Sequence, residues 1–255
     1  AGLASVKCAL PLGDTEAAVS ALLMLRRDFP RDPEVLYVTT HAYSDLATRA
    51  SEELATTAPK STQALELSAE ADEMQGKWDD ASRAYRDILA KNPNAPGIHF
   101  RLGRIILSEP PTASTAADAR KEFEAELKID PTNAGAEYVL GELAGQAQDW
   151  DNAEKHFSRA TTADAEFADA FRGLGMALNS AGKFADAIGP LEKYVKMQPA
   201  DPAGHYQLAI AYARTGRKDD AQREMALQQQ ADSRIRKSQG QQPADASGAP
   251  SQSQP

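Results

Sequence analysis

Moved along the chain by 34 positions, the stretch Ala168–Asp201, ADAFRGLGMALNSAGKFADAIGPLEKYVKMQPAD, lands on its own chemistry in both directions. Leu140, Leu174 and Leu208 coincide, as do Gly141, Gly175 and Ala209, and as do Ala153, Ala187 and Ala221. Trp150 falls on Phe184, and Phe157, Leu191 and Met225 share one position. Within the stretch, Phe171, Leu174, Gly175 and Leu178 mark one helical face, and Ala187, Ile188, Leu191, Tyr194 and Val195 mark another. Gly182 supplies the permissive backbone of the turn between them, and Pro199 stops the second helix. Two such short helices cannot bury their apolar faces alone, so a fixed period of this length requires stacking on neighbours. The expected fold is all-α, a solenoid of stacked helix-turn-helix units.

The frame predicts a partial unit over residues 1–31, whose short first helix would contain Pro11, with Gly13 at the turn. Six units follow at 32–61, 62–95, 96–133, 134–167, 168–201 and 202–237, and a disordered tail at 238–255. The 32–61 unit has no turn glycine, so its turn is expected near Ser44–Thr48. Gly103 and Gly141 lie 38 rather than 34 residues apart. The four extra residues fall in SEPPTAST, Ser108–Thr115, where the Pro110–Pro111 pair must leave the helix. After Ser238 the sequence is Gln, Ser, Pro, Gly and Ala without apolar periodicity, the composition of a disordered tail.

A formal net charge of −9 disfavours non-specific nucleic-acid binding and attachment to anionic membranes. No apolar run approaches the roughly 20 residues of a membrane span. The chain reads as soluble, with its compartment open; beginning at Ala1, it is expected to be a processed form or a piece of a longer protein. The single cysteine, Cys8, permits no internal disulfide and reads as a small buried packing residue. His41, His99, His156 and His205 are isolated in sequence, with no H-E-x-x-H spacing. Nor is there a nucleophile elbow or a phosphate loop. The acidic trio Glu66, Glu70 and Glu73 reads as a solvated helix face. No catalytic residue, cofactor or metal is expected, and the chain is expected not to be an enzyme.

The runs FRGLGMAL…GKFADA…P (Phe171–Pro199), HYQLAIAY…GRKDDA (His205–Ala221), HFRLGRII and EYVLGELA resemble the tetratricopeptide repeat (TPR) family over roughly residues 13–237. That resemblance implies a right-handed superhelical solenoid. It also implies a concave groove, lined by first helices, that holds an extended peptide or partner helix. Carried over position by position, the groove would present Phe100, Arg101, Arg104, Tyr138, Glu142, Arg172, Met176, Tyr206 and Arg214. Tyr37, His41, Glu66 and Glu70 would continue it toward the N-terminus. The family's carboxylate clamp for chaperone tails needs Lys and Asn where Phe100, Arg104, Tyr138 and Glu142 stand, so that specificity is not expected. Arginine and aromatic side chains together suit an interface, and arginine pairs with carboxylates by forked hydrogen bonds. The expected function is a non-enzymatic interaction scaffold or adaptor for a protein partner, with an acidic or C-terminal peptide segment as the candidate ligand. The alternatives are an accessory region of a larger enzyme or of a secretion or envelope assembly machine, and a self-associating array.

Overall fold

The computed structural model describes residues 2–238, which form thirteen α-helices and no strand. They divide into two compact units, one ending at Pro93 and one beginning at Asn94. The first holds α1 (Gly2–Ala9), α2 (Thr15–Asp28), α3 (Pro33–Thr57), α4 (Thr62–Met74) and α5 (Trp78–Lys91). The second holds α6 (Ile98–Ser108), α7 (Thr115–Ile129), α8 (Ala134–Gln146), α9 (Trp150–Ala163), α10 (Ala168–Ser180), α11 (Phe184–Met197), α12 (Pro202–Arg214) and α13 (Lys218–Ser238).

Asp32, Ser61, Asn133, Asp149 and Asp201 each accept from a backbone N–H in the first turn of the helix that follows, which fixes where the helix starts. The short turns between paired helices place one residue in the left-handed region, which the longer α6–α7 connection does not. Gly182 and Gly216 occupy it at φ +75° and +81°, and at the equivalent place between α8 and α9 it is Gln148, at +57°. In the second unit each first helix packs on its own second helix, and α7, α9 and α11 each pack on the first helix of the pair that follows. Phe157, Leu174, Leu178, Leu191, Leu208 and Tyr212 thereby join one continuous core cluster.

The N-terminal unit departs from the 34-residue frame. No turn forms at Ser44–Thr48: α3 is one continuous helix of 25 residues. Neither Gly nor Pro interrupts it, and its hydroxyls fold back onto its own carbonyls, Thr48 Oγ1 on Ser44 and Ser51 Oγ on Ala47. The first helix ends at Ala9, so Pro11 lies in the turn and not in the helix. Cys8 is exposed rather than buried, because Val6 and Ala9 take the inward face of α1. At the other end α13 includes Ser238, and the expected tail at 239–255 lies outside the described residues.

Small residues sit where the helices cross. A Cβ on Gly103 would meet the Phe123 ring at 2.9 Å, one on Gly141 the Phe157 ring at 2.8 Å, and one on Gly175 would fall inside Leu191. The fourth copy of this position is Ala209, and there the opposing position carries unbranched Met225.

Three of the histidines are not isolated in space. His99 Nδ1 lies 2.6 Å from Glu122 Oε2, His156 Nδ1 2.6 Å from Glu137 Oε2, and His205 Nδ1 2.6 Å from Glu224 Oε2. All three pairs occupy one pair of repeat positions, first helix against second helix. In the α8–α9 unit the two residue types have changed places, and in the α10–α11 unit the positions hold Phe171 and Pro190. A further carboxylate, Glu126 on α7, is 1% exposed and accepts from the backbone N–H of Gly97 (2.8 Å) and of Phe100 (3.2 Å). It caps α6, whose N-cap residue is a glycine with no side chain to offer.

Candidate functional site

The period places residues 100 and 104, 138 and 142, 172 and 176, and 206 on corresponding positions of the first helices α6, α8, α10 and α12, with 104, 142, 176 and 206 exposed and 100, 138 and 172 half-buried. At α8 and α10 they form a joined cluster. Arg172 is half-buried, with Nη2 3.3 Å from Asp169 Oδ1 and its guanidinium 5.9 Å from the centre of the Tyr194 ring. Tyr194 OH donates to Asp201 Oδ2 at 2.5 Å. The Tyr138 ring lies 4.9 Å from Phe167 and 5.7 Å from Phe157, and its hydroxyl end faces Glu142 and Arg172.

The electrostatics of this cluster are those of a charge-crowded, partly desolvated surface. Desolvation, reinforced by Asp169, raises the Glu142 carboxyl above its ordinary range, and Arg172 only partly offsets this. Desolvation also raises the Tyr138 phenol, with Glu142 and Asp169 adding to the effect. Burial works against the Arg172 charge, but Tyr194, Asp169, Tyr138 and Asp201 outweigh it and hold the guanidinium above its usual value. Three carboxylates, those of Glu142, Asp169 and Asp201, thus share a single guanidinium.

Beside this cluster opens a cavity of about 280 Å³ lined by α8, α9 and α10. Trp150, Phe157, Met176 and Ala177 form its apolar walls, Gly145 leaves space, Gly173 lets the Phe157 ring approach, and Glu142 and Gln146 stand among its lining residues. Met176 is 42% exposed.

The remaining candidates are dispersed. Phe100 stacks edge-on against Phe123 at 5.6 Å, and a Cβ on Gly135 would meet its ring at 3.0 Å, so it is packed between α6, α7 and α8. Arg101 is half-buried and Arg104 exposed on α6, and both are engaged with the protein's own groups. Tyr206 is 48% exposed on α12. The Arg214 guanidinium lies 5.4 Å from the Phe184 ring centre, which ties it to the start of α11. In the N-terminal unit Tyr37 stacks on His41 with 4.2 Å between centroids, at the edge of a cavity of about 660 Å³ between α1 and α3. Of the acidic trio, Glu73 accepts from Tyr85 OH at 3.1 Å, Glu70 is engaged with the protein's own groups and Glu66 is half-buried.

Sequence reasoning missed Asp169, Tyr194, Asp201 and the Trp150 cavity. One signal for the cavity was present. Gly145 stands where other units have Leu107, Asn179 and Ala213, and Gly173 stands where they have Arg101, Val139 and Gln207. At Gly145 the place stays open, with only Trp150 within 4 Å of a Cβ there, whereas at Gly173 the Phe157 ring takes it.

No curated protein is matched by this chain's sequence. Among solved structures, a crystal structure of MamA is similar to it at 24% identity, covering 66% of this chain and 96% of that one, with a TM-score of 0.58. MamA residues 41 to the end from Desulfovibrio magneticus RS-1 superpose with a TM-score of 0.58 at 17% identity, over 68% of this chain and 96% of that one. YrrB, a TPR protein with an unusual peptide-binding site, gives a TM-score of 0.61 at 16% identity, covering 71% and 92%. At these identities the likeness is one of fold. The tetratricopeptide repeat profile matches residues 62–134, 138–202 and 180–232. With its period, its small crossing residues and its paired helices all in the register that this profile matches, the chain belongs to the tetratricopeptide repeat family.

Proposed function

We propose that this chain is a non-enzymatic scaffold whose first-helix groove holds an extended peptide or partner helix. The observation that carries this reading is the α8–α10 face, where Tyr138, Glu142, Arg172 and Met176 converge beside an open apolar cavity. Aromatic, arginine and methionine side chains around a pocket are the composition of an interface centre. A catalytic reading would need a nucleophile or base held against an orienting partner. Here the titratable groups pair with one another around Arg172, and none is a nucleophile held by an orienting base.

The charge of the partner is the open part of the reading. Arg172 is already paired with Asp169, and Arg101 and Arg104 are engaged with the protein's own groups, so an acidic segment would have to compete for its arginines. Affinity capture with the intact chain tests the proposal: a folded Arg172→Glu/Met176→Glu variant loses partners that the parent retains. Retention of every partner would sink the groove reading. If the acidic preference is right, Arg101→Glu with Arg104→Glu loses partners too.

Self-association is a second reading, favoured by the apolar side chains Leu23, Met24 and Phe29, each more than half exposed on and just after α2. It requires a mass that grows with concentration in light scattering, and a constant monomer mass removes it.

A further inference from the structure

We infer that the cavity between α8, α9 and α10 takes one large apolar side chain from a segment of another protein, and that this segment carries a lysine or arginine beside that side chain. This rests on the groove reading and names the chemistry of what the groove holds. The apolar half of the inference follows from the lining: Trp150, Ala153, Phe157, Met176 and Ala177, with glycines at 145 and 173. An apolar, ring-walled recess of about 280 Å³ suits an aliphatic or aromatic side chain.

The cationic half follows from charge complementarity. Glu142 lines the cavity, and the adjoining cluster sets Glu142, Asp169 and Asp201 against Arg172 alone, an excess of two negative charges. A cation arriving next to Glu142 relieves that excess, whereas an added carboxylate increases it. Glu142 borders the apolar recess, so a pair formed there is less screened than one in open water.

The chain's own C-terminal tail does not fit this description. Residues 239–255, QGQQPADASGAPSQSQP, contain no Leu, Ile, Val, Met, Phe, Tyr or Trp and no Lys or Arg, and include Asp245. The occupant therefore comes from outside that segment.

The test is display of random 16-residue peptides against the intact chain, followed by binding of the enriched peptides to variants. Gly145→Leu fills the cavity without backbone strain. A Cβ there meets only Trp150, at 3.9 Å, and Leu107 already occupies the equivalent place in another unit. The expected result is enrichment of peptides pairing Trp, Phe, Leu or Met with a neighbouring Lys or Arg. Their affinity falls at least about tenfold on Gly145→Leu and several-fold on Glu142→Gln, with circular dichroism and melting unchanged or improved. Acidic consensus peptides, no enrichment, or full retention of binding on Gly145→Leu each overturn the proposal. So does a solution mass that changes on Gly145→Leu, which assigns the cavity to a second copy of the chain. Peptides that survive Gly145→Leu but are lost on Arg172→Glu/Met176→Glu defeat the anchor and leave the groove reading standing. Peptides indifferent to all of these variants defeat both.

Discussion

The interchange of histidine and glutamate between units makes a quantitative prediction about the α8–α9 pair. Glu137 is 4% exposed, and its Oε2 lies 2.6 Å from His156 Nδ1. Changing His156→Glu alone would face two carboxylates across that gap, one of them buried. Leaving a buried charge uncompensated costs about 3–5 kcal/mol. Changing Glu137→His alone removes a charge-assisted hydrogen bond, a loss of about 1.5–3 kcal/mol. The double change Glu137→His/His156→Glu restores the pair in the orientation that His99–Glu122 and His205–Glu224 already use. The local surroundings support the exchange. His205 Nε2 lies 3.2 Å from the Pro199 carbonyl oxygen, and Pro131 stands at the equivalent place, six residues before position 137. Arg159 now approaches Glu137 at 3.5 Å, and after the exchange it would find the new carboxylate three residues back on its own helix. The double variant is therefore expected within about 1 kcal/mol of the parent, with a coupling energy of at least about 2 kcal/mol. Urea unfolding of the four members of the cycle measures both. A double variant no more stable than the worse single variant would refute the idea that the two positions form one interchangeable unit.

Three further outcomes are expected. Gly175→Leu should overpack against Leu191 and destabilise by about 1–3 kcal/mol, read as a lower melting temperature; an unchanged value contradicts the register. Glu126→Gln should weaken the cap of α6, because the amide nitrogen then faces a backbone N–H, and hydrogen exchange at Gly97 and Phe100 should quicken while exchange in α12 does not. Burial, together with donation to Glu192 at 2.6 Å, pushes the Tyr212 phenol up to about 12. Its folded form keeps the proton where the unfolded chain, at about 10, has lost it, so this contribution is intact below about pH 10 and is lost as pH rises toward 12. Tyr212→Phe should flatten alkaline destabilisation across that window, and an identical slope in both proteins would contradict the assignment.

The fold was legible because solenoid packing repeats its constraints. Each of Gly103, Gly141 and Gly175 faces the same local crossing, so independent copies agree and the register can be read from a single chain. Legibility failed where that redundancy was absent. The 33–57 segment has no turn glycine, and local helix propensity with hydroxyl-to-carbonyl bonds carried one helix through the expected break. Cys8 was misplaced because an eight-residue helix offers too few apolar positions to decide its inward face.

The site obeys the opposite logic. What distinguishes one first helix from the next lies in positions where the repeat is broken, and a broken position cannot be read by comparing copies. Phe100 and Tyr138 share a repeat position, yet Phe100 is held between helices by Phe123 while Tyr138 turns its hydroxyl end to Glu142 and Arg172. Arg172 looked like a free cation in sequence, but its neutralising partner Asp169 lies on the same helix, one turn back, a spacing that sequence does show. Asp201 and Tyr194 come from other parts of the chain, and only the stacking brings them near. The most informative departures are losses of side chain. Gly145 and Gly173 break a pattern of larger residues, are not needed for left-handed backbone, and adjoin the apolar recess that opens beside the α8–α10 charge cluster. Glycine in a helix interior costs about 1 kcal/mol relative to alanine. For Gly173 the Phe157 ring is reason enough, since a Cβ there would meet it at 2.5 Å. Gly145 stands in the last turn of α8, where that cost is smaller, and meets no such packing demand, so the space it leaves is the feature on which the anchor proposal stands or falls.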